Sequence, residues 1–185
     1  ATAGQWVAVH GCGGIGLSAI MIAEALGAHT IAVDIADDKL SFAQSIGATH
    51  VLNATEIDNI SAAIIELTEG GAHLSIDALG STVTCQNSIN CLRKRGRHLQ
   101  VGLMNGDDAA PPIPMGRIIG KEIEIVGSLG MQFHKYPEMF AMISSGKLRP
   151  QELIGRTVTL EEATSVLPAM NNFSDTGMSI IENFA

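Results

Sequence analysis

Short apolar runs alternate with helical patterns along about the first 130 residues of the chain. The apolar runs predict six strands, at residues 5–10, 30–34, 50–52, 74–77, 96–101 and 123–127. The stretches between them predict helices at 14–26, 37–46, 56–68 and 82–92. Residues 7–9 and 31–33 are continuously apolar, which is typical of strands buried on both faces. This alternation indicates βαβ units and a parallel sheet.

Right-handed crossovers between such strands produce a doubly wound α/β sheet of the Rossmann type, and we expect six strands in the order 3-2-1-4-5-6. The segment after Pro150 departs from this scheme. It predicts a strand at 156–160, a short helix at 161–170 and another strand at 177–181. Because two more strands have no place in a six-stranded sheet, we assign residues 1–149 to the Rossmann domain and 150–185 to a C-terminal appendage.

A glycine motif lies between the first predicted strand and the first predicted helix. Residues 11–16 read Gly-Cys-Gly-Gly-Ile-Gly, which matches the G-x-G-x-x-G pattern of dinucleotide sites in the strand–helix context that it requires. Gly11 permits a sharp turn, Gly13 lets a pyrophosphate approach the backbone, and Gly16 lets the helix lie close to the strands. The helix N-terminus adds free amides and a positive dipole end. The predicted phosphate site therefore comprises Gly11, Gly13, Gly14, Ile15 and Gly16.

An acidic residue ends the second predicted strand. Asp34 follows Gly16 by 18 residues, close to the spacing at which a carboxylate binds the adenosine ribose of NAD. A 2′-phosphate here would meet a like charge, and the residues directly after Asp34 are Ile35 and Ala36 rather than an arginine that could pair with it. The sequence therefore favours NAD over NADP. The alternative is that Asp34 only caps a turn, and Lys39 either reaches the ribose or is solvated.

Composition restricts the possible partners and compartment. The 185 residues carry a formal net charge of −8, which argues against non-specific binding to nucleic acid. No apolar run reaches the roughly 20 residues that span a membrane, and no secretory signal precedes the first strand. We therefore expect a cytoplasmic protein with no membrane partner. Three cysteines without C-x-x-C spacing predict reduced thiols, and six scattered histidines predict no metal site in this chain.

No catalytic set is evident in the chain. A dehydrogenase needs one group to move the alcohol proton and another to polarise the carbonyl. The single tyrosine, Tyr136, is followed four residues later by Phe140 rather than lysine, which excludes the short-chain dehydrogenases. His134 lacks an evident acidic partner and fits a surface position, whereas Cys85 and Cys91 fit the core. We therefore assign no catalytic residue and no metal ligand.

Five segments together carry a family resemblance: residues 4–17, 33–35, 39–40, 47–53 and 101–103. They resemble the zinc-type alcohol dehydrogenases of the medium-chain dehydrogenase/reductase family, and the similarity covers essentially the whole chain. In that family the cofactor domain lies in the C-terminal half and the final segment returns to the catalytic domain. The resemblance implies an NAD-dependent oxidoreductase acting on small alcohols and aldehydes. It also implies that zinc and substrate bind before Ala1 in the full-length enzyme, so the fragment alone is expected to be inactive.

The resemblance further implies roles for residues on the adenosine side of the cofactor. Asp34 and Lys39 correspond to the residues that hold the adenosine ribose. Ile35 and Leu79 correspond to apolar residues on the two sides of the adenine.

On the nicotinamide side, Val101 corresponds to the residue whose carbonyl meets the carboxamide. Ser128 and Gly130 correspond to backbone positions that complete this contact, although Gly130 stands where the family often has a bulkier residue. In the family, the strand matching 122–128 pairs with its copy in a second subunit. Since pairing removes an exposed apolar edge, we expect a homodimer.

Other interpretations remain open. A zinc-free quinone reductase of the same family would use NADPH, and Asp34 argues against it. A non-catalytic NAD-sensing module would need a domain that is complete near Gly130 and a tail with its own role. A methyltransferase fits less well, because the third glycine and the Gly13–Gly14 pair suit a pyrophosphate better than a sulfonium.

Overall fold

Eight strands and seven helices are present in the computed structural model, which describes residues 1–172 and 175–184. The strands are β1 (Trp6–His10), β2 (His29–Asp34), β3 (His50–Asn53), β4 (Ala72–Asp77), β5 (Leu92–Gln100), β6 (Glu124–Gly127), β7 (Ile154–Thr159) and β8 (Met178–Asn183). The helices are α1 (Gly14–Ala25), α2 (Asp37–Ser45), α3 (Ile60–Leu67), α4 (Thr82–Asn90), α5 (Met115–Lys121), α6 (Tyr136–Ser144) and α7 (Leu160–Ala169).

Strands β1 to β6 form one parallel sheet in the order β3-β2-β1-β4-β5-β6. Strand β1 is central, where Val7 pairs with Thr30 of β2 and with Leu74 of β4. The predicted Rossmann sheet and its strand order are therefore confirmed. The carboxyl ends of all six strands lie at one edge, where a doubly wound fold places its ligands.

Each face of this sheet is covered by helices, as the apolar strand runs require. On one face, Val7 and Val9 belong to a core with α1, α2 and α6. On the other face, Ala8 and Ile31 belong to a core with α3, α4 and α5. Odd and even positions of β1 thus face opposite layers, as the alternation of side chains along a strand dictates.

Two helices were not predicted from the sequence. Helix α5 has seven residues and contains two glycines, Gly116 and Gly120, which weaken a helical pattern. Helix α6 has a clear signal, because Pro137 lies in its first turn and Met139, Met142 and Ile143 follow at helical spacing. The third helix begins at Ile60 rather than at 56, since the side chain of Asn59 caps it.

Strand β5 begins four residues earlier than the apolar pattern predicts. Its first half is charged, with three exposed basic residues at 93–95, so it lacks the apolar signature of a buried strand. Arg95 has a φ of 60°, and the register with β4 is irregular between Ala72 and Leu74. This irregular start of β5 explains the difference from the predicted boundary.

The C-terminal segment forms its own small unit of two parallel strands, β7 and β8, joined by α7. Thr159 and Glu162 form a reciprocal capping box at the start of α7. The segment contacts the Rossmann domain at several places. Leu153 is buried in the core beside α1 and α2, Met178 packs against the same core, and Thr176 Oγ1 donates a 2.6 Å hydrogen bond to Asp38 Oδ2. None of the helices in the described ranges is long and apolar enough to cross a bilayer.

Candidate dinucleotide site

Three glycines shape the loop between β1 and α1, each in a different way. Gly11 has a φ of +95°, and its amide donates a 2.8 Å hydrogen bond to the carbonyl of Val33. A Cβ on Gly16 would overlap the carbonyl oxygen of Gly11, so α1 lies directly against the loop. Around Gly13, nothing lies within 4 Å of the place a Cβ would take. The loop is therefore compact on its inner side and open on its outer side.

The N-terminus of α1 faces this open side. Gly13 is the N-cap residue and supplies no side chain to bond the first amides, and the first turn contains no acidic residue. The first amides of a helix have no carbonyl partner within it, and they carry the positive end of the helix dipole. The arrangement is suited to an anion such as a pyrophosphate.

Asp34 ends β2 and holds the glycine loop in place. Its Oδ2 accepts a 2.7 Å hydrogen bond from the amide of Cys12, while Oδ1 accepts from the amides of Ile35 at 2.8 Å and Ala36 at 3.2 Å. Asp34 thus does cap its own turn, and it also links that turn to the loop. A carboxylate has about four lone-pair sites, so three backbone donors leave capacity for a further hydroxyl donor.

Lys39 is buried, with 7% of its surface exposed, which rules out the solvated position that the sequence left open. Its positive charge partly offsets the rise that burial causes in the pKa of Cys12, and it adds to the lowering of the Asp38 pKa, which comes first from the hydrogen bond of Thr176. No salt bridge to Lys39 forms within residues 1–172 and 175–184. A buried cation therefore lies beside the glycine loop without a carboxylate partner there.

Cys12 occupies the second position of the glycine motif but is not available as a nucleophile. Its side chain is 1% exposed. Burial, followed by the negative charge of Asp34, raises the pKa of the thiol to about 12. The residue therefore contributes its amide to the loop and its neutral side chain to the core.

Leu79 and Val101 follow β4 and β5 at the same edge of the sheet. Leu79 is 44% exposed, and its amide donates to Asp77 Oδ1 at 3.0 Å. The amide of Val101 donates to the backbone carbonyl of Asp77 at 3.1 Å. Both residues are thus held by β4, although one was expected beside the adenine and the other beside the nicotinamide.

A cavity of about 800 Å³ runs along α1 and collects part of the predicted site. Its lining includes Gly14, Ile15, Val101 and Gly130, together with Met178 of β8. Gly130 has a φ of +66°, a backbone conformation that favours glycine over a bulkier residue at this position. The adenosine-side residues, including Ile35 with 70% of its surface exposed, lie outside this cavity.

Ser128 follows β6, and its amide donates a 2.9 Å hydrogen bond to the carbonyl of Gln100. Its amide is therefore committed to the sheet, and only its carbonyl and hydroxyl remain for a ligand. If Ser128 contacts the carboxamide as the resemblance implies, it does so through its carbonyl or its hydroxyl and not through its amide.

Sequence reasoning missed several residues at this edge. Met178 packs over the start of α1, where a Cβ on Gly14 would lie 3.3 Å from its Cε. No local signal could identify this contact across 164 residues of chain. Asp77 and Gln100 did leave a signal, because each is a polar residue at the carboxyl end of a parallel strand, the edge where such a fold places its ligands.

The cysteines and the histidine that were considered for catalysis occupy the positions expected of them. Cys85 and Cys91 are buried, while His134 is exposed on the surface. Within the described part of the chain, no group of three His, Cys, Asp or Glu side chains is placed to hold a metal ion. The residues that the structure describes therefore do not fit a zinc site.

Comparison with known proteins gives consistent matches along the chain. The family model described as zinc-binding dehydrogenase matches residues 14–145. An alcohol dehydrogenase of Geobacillus stearothermophilus is 30% identical over 179 residues, which make up 97% of this chain and 50% of that protein. An NAD-dependent alcohol dehydrogenase of Sulfurisphaera tokodaii is 32% identical over 179 residues, or 95% of this chain and 49% of that protein.

Solved structures agree with these matches. Benzyl alcohol dehydrogenase from Acinetobacter calcoaceticus superposes with a TM-score of 0.88 at 26% identity, over 99% of this chain and 51% of that one. The alcohol dehydrogenase of Aeropyrum pernix superposes with a TM-score of 0.84 at 27% identity, over 97% of this chain and 50% of that one. The chain thus spans about half the length of the relatives it matches.

Proposed function

The chain belongs to the zinc-binding dehydrogenase family, and from this premise we propose that it is the NAD(H)-binding part of an oxidoreductase. The reaction we propose is the interconversion of alcohols with aldehydes or ketones by hydride transfer. Relatives named alcohol dehydrogenase and NAD-dependent alcohol dehydrogenase support this substrate class and this cofactor. The glycine loop and Asp34 support it independently.

The observation that carries the proposal is the junction between the glycine loop and β2. The amide of Cys12 donates a 2.7 Å hydrogen bond to the carboxylate of Asp34, which ties the glycine loop to the residue that we assign to the ribose. The open space at Gly13 leaves room for a pyrophosphate beside the first amides of α1. The residues present therefore fit a dinucleotide.

Backbone amides and side chains of this chain would then bind different parts of the cofactor. The first amides of α1 bind the pyrophosphate, and Asp34 accepts from a ribose hydroxyl through its remaining lone pair. Lys39 adds positive charge beside the loop. The apolar residues Ile35 and Leu79 flank the adenine. NAD supplies the hydride acceptor, whereas this chain binds the dinucleotide and orients it.

On the nicotinamide side, we propose that Val101, Ser128 and Gly130 hold the carboxamide through backbone groups. Val101 and Gly130 share the cavity with the start of α1. The position of Gly130 in open space leaves its backbone accessible. These contacts fix which face of the ring is presented to the substrate.

We propose that the substrate and zinc sites lie in an N-terminal domain outside this chain. The relatives are about twice as long as the chain, and the residues described here do not form a metal site. Residues 1–149 are then the NAD-binding domain and 150–185 the segment that returns to the catalytic domain. On this proposal the chain alone binds NAD(H) and does not oxidise alcohols.

A homodimer through residues 122–128 is also proposed. Strand β6 is the edge of the sheet, and all four of its residues are exposed. Ile125 and Val126 are 46% and 39% exposed, so pairing with a second copy would bury an apolar edge. Light scattering at tens of micromolar should give the mass of two chains, and the mass of one chain would contradict the proposal.

The cofactor proposal is tested by titrating the chain with NADH and NADPH while following nicotinamide fluorescence. We expect NADH to bind at least tenfold more tightly, because the 2′-phosphate of NADPH would face Asp34. Gly13→Ala should fold normally, since its φ is ordinary and its surroundings are open. The added methyl should nevertheless weaken NADH binding by tenfold or more, because it occupies the space beside the pyrophosphate.

Gly116→Ala is the matched control, since it adds the same methyl in open space on α5. It should leave the affinity for NADH unchanged. Equal affinity for the two cofactors, or unchanged binding by Gly13→Ala, would contradict the proposed site.

A further inference from the structure

Polar side chains occupy the face of β4 and β5 that packs against α4, where apolar residues would be expected. Asp77 is completely buried, His98 is 1% exposed, and Ser75 and Ser88 are also buried. Buried polar groups are costly unless they are hydrogen-bonded. The hydrogen bonds of this cluster should therefore show what it does.

The cluster forms one continuous chain of hydrogen bonds that starts in the core. The Cys91 thiol donates to Ser75 Oγ at 3.3 Å, and the hydroxyls of Ser75 and Ser88 are 2.7 Å apart. Ser88 Oγ lies 2.8 Å from His98 Nδ1, and His98 Nε2 lies 3.1 Å from Gln100 Oε1. Because a carboxamide oxygen can only accept, Nε2 carries the imidazole proton and Nδ1 accepts from Ser88.

The direction of the chain is thereby fixed from Ser75 through Ser88 and His98 to Gln100. Burial lowers the pKa of His98, which keeps the ring neutral and consistent with this assignment. With its oxygen held by His98, the carboxamide of Gln100 can turn only its NH₂ group toward the end of the sheet.

That NH₂ group joins two loops. It donates to Asp77 Oδ2 at 2.9 Å and to the carbonyl of Gly102 at 2.9 Å. The other carboxylate oxygen of Asp77 accepts from the amides of Leu79 and Gly80 at 3.0 and 2.9 Å. Gln100 and Asp77 thus connect the loop after β5 to the loop after β4.

The two loops are also in direct backbone contact. A Cβ on Gly80 would overlap the carbonyl of Leu103, and a Cβ on Gly102 would overlap the amide of Gly80. The two loops therefore lie in direct contact, with no room for a side chain between them. One loop carries Leu79, assigned above to the adenine, and the other carries Val101, assigned above to the nicotinamide.

We propose that Gln100 is a positioning residue of the dinucleotide site, whose carboxamide fixes the nicotinamide-side loop relative to the adenine-side loop. It touches neither end of the cofactor and acts through Asp77 and Gly102. The inference rests on the proposed NAD(H)-binding function. It predicts that the two loops respond together when only the adenosine end of the site is filled.

The first test uses the wild-type chain and ADP-ribose, which lacks the nicotinamide. Hydrogen exchange is measured at the amides of Leu79, Gly80, Val101 and Gly102 with and without ADP-ribose. Protection should rise at all four amides, although the nicotinamide side has no ligand. Protection confined to Leu79 and Gly80 would overturn the inference.

The second test is Gln100→Met, which keeps the length of the side chain but removes its donors. NADH should bind about tenfold more weakly, while ADP-ribose affinity changes less than twofold and its protection no longer reaches Val101 and Gly102. A purely structural role of Gln100 would weaken both ligands equally. Gln44→Met, the same change at an exposed position on α2, is the control and should alter neither.

Three outcomes are distinguishable. If the wild type binds neither NADH nor ADP-ribose, the proposed function fails and the inference fails with it. If the wild type binds both but Gln100→Met loses both equally, only the inference fails. If Gln100→Met does not fold, the exchange experiment on the wild type decides alone.

Discussion

Acidification should destabilise this protein through one buried histidine. His10 ends β1 with 1% of its surface exposed, and its Nδ1 has no hydrogen-bond partner among the described residues. Its Nε2 lies 3.8 Å from Cys91 Sγ, a weak contact at best. Burial lowers the pKa of His10 from 6.5 to about 4; the charge of Asp77 opposes this effect, and His98 adds to it.

The sign of the pH dependence follows from this depressed pKa. Between pH 6.5 and 4 the unfolded chain binds a proton at His10 that the folded chain does not, so stability rises with pH through this window. The part of the stability that depends on a neutral His10 is fully present above pH 6.5 and is lost as the pH falls toward 4. A difference of about 2.5 pKa units corresponds to roughly 3 kcal/mol, of which about 2 kcal/mol is lost by pH 5.

The assay is urea unfolding of the wild type and His10→Leu from pH 7.5 to 4.5 at constant ionic strength. Leucine has a similar volume and leaves no buried nitrogen unpaired. Groups that do not interact with His10, such as His73 with its lowered pKa, contribute to both proteins and cancel in the difference. His98 interacts with His10, so its contribution cancels only in part. The unfolding free energy of the variant minus that of the wild type should therefore rise by about 2 kcal/mol as the pH falls from 7.5 to 5.

The exposed His134 provides the control, because His134→Leu should leave the pH dependence of the wild type unchanged. A constant difference in unfolding free energy between wild type and His10→Leu across this pH range would refute the reasoning. So would a variant that loses stability on acidification as steeply as the wild type.

Two further predictions follow from the glycine loop and the thiols. Gly16→Ala should lower the free energy of unfolding in urea by about 3 kcal/mol, because the new Cβ overlaps the Gly11 carbonyl. Gly116→Ala adds the same methyl in open space on a helix and should be neutral or slightly stabilising. Equal effects of the two substitutions would contradict this explanation. Burial raises the pKa of the Cys12 and Cys91 thiols to about 12, so iodoacetamide at pH 8 should modify neither within an hour in the folded chain and both in denaturant. Rapid modification of either would show that the core opens more readily than the structure indicates.

The sheet could be predicted because most of its strands have a local signature in the sequence. Apolar runs such as residues 7–9 and 31–33 suit strands covered on both faces, and glycines mark the turns between elements. Strand order then follows from the general handedness of crossovers. The run at 93–95 shows the limit of this pattern. Three exposed basic residues hid the start of β5, and the register with β4 shifts there, between the pairs Ala72–Leu92 and Leu74–Arg97.

The candidate site was predictable only in part, for a different physical reason. The glycine motif acts through backbone geometry, which a local sequence specifies, so Gly11, Gly13 and Gly16 could be given separate tasks. Asp34 was expected at a ribose, and that role stays a prediction. What the sequence did not reveal is that its carboxylate also holds the Cys12 amide. The contact of Met178 with the start of α1 depends on tertiary packing and has no local signal.

The polar residues within β4 and β5 connect the stability of the fold to the geometry of the site. The Asp77 carboxylate holds the amides of Leu79 and Gly80, and its charge also raises the pKa of the buried His10. Removing that charge would therefore have two effects at once. It would loosen the adenine-side loop, and it would lower the pKa of His10 further, so that acid destabilises the fold over a wider range of pH. One buried carboxylate thus both opposes the effect of burial on the pKa of His10 and holds the amides of the loop after β4.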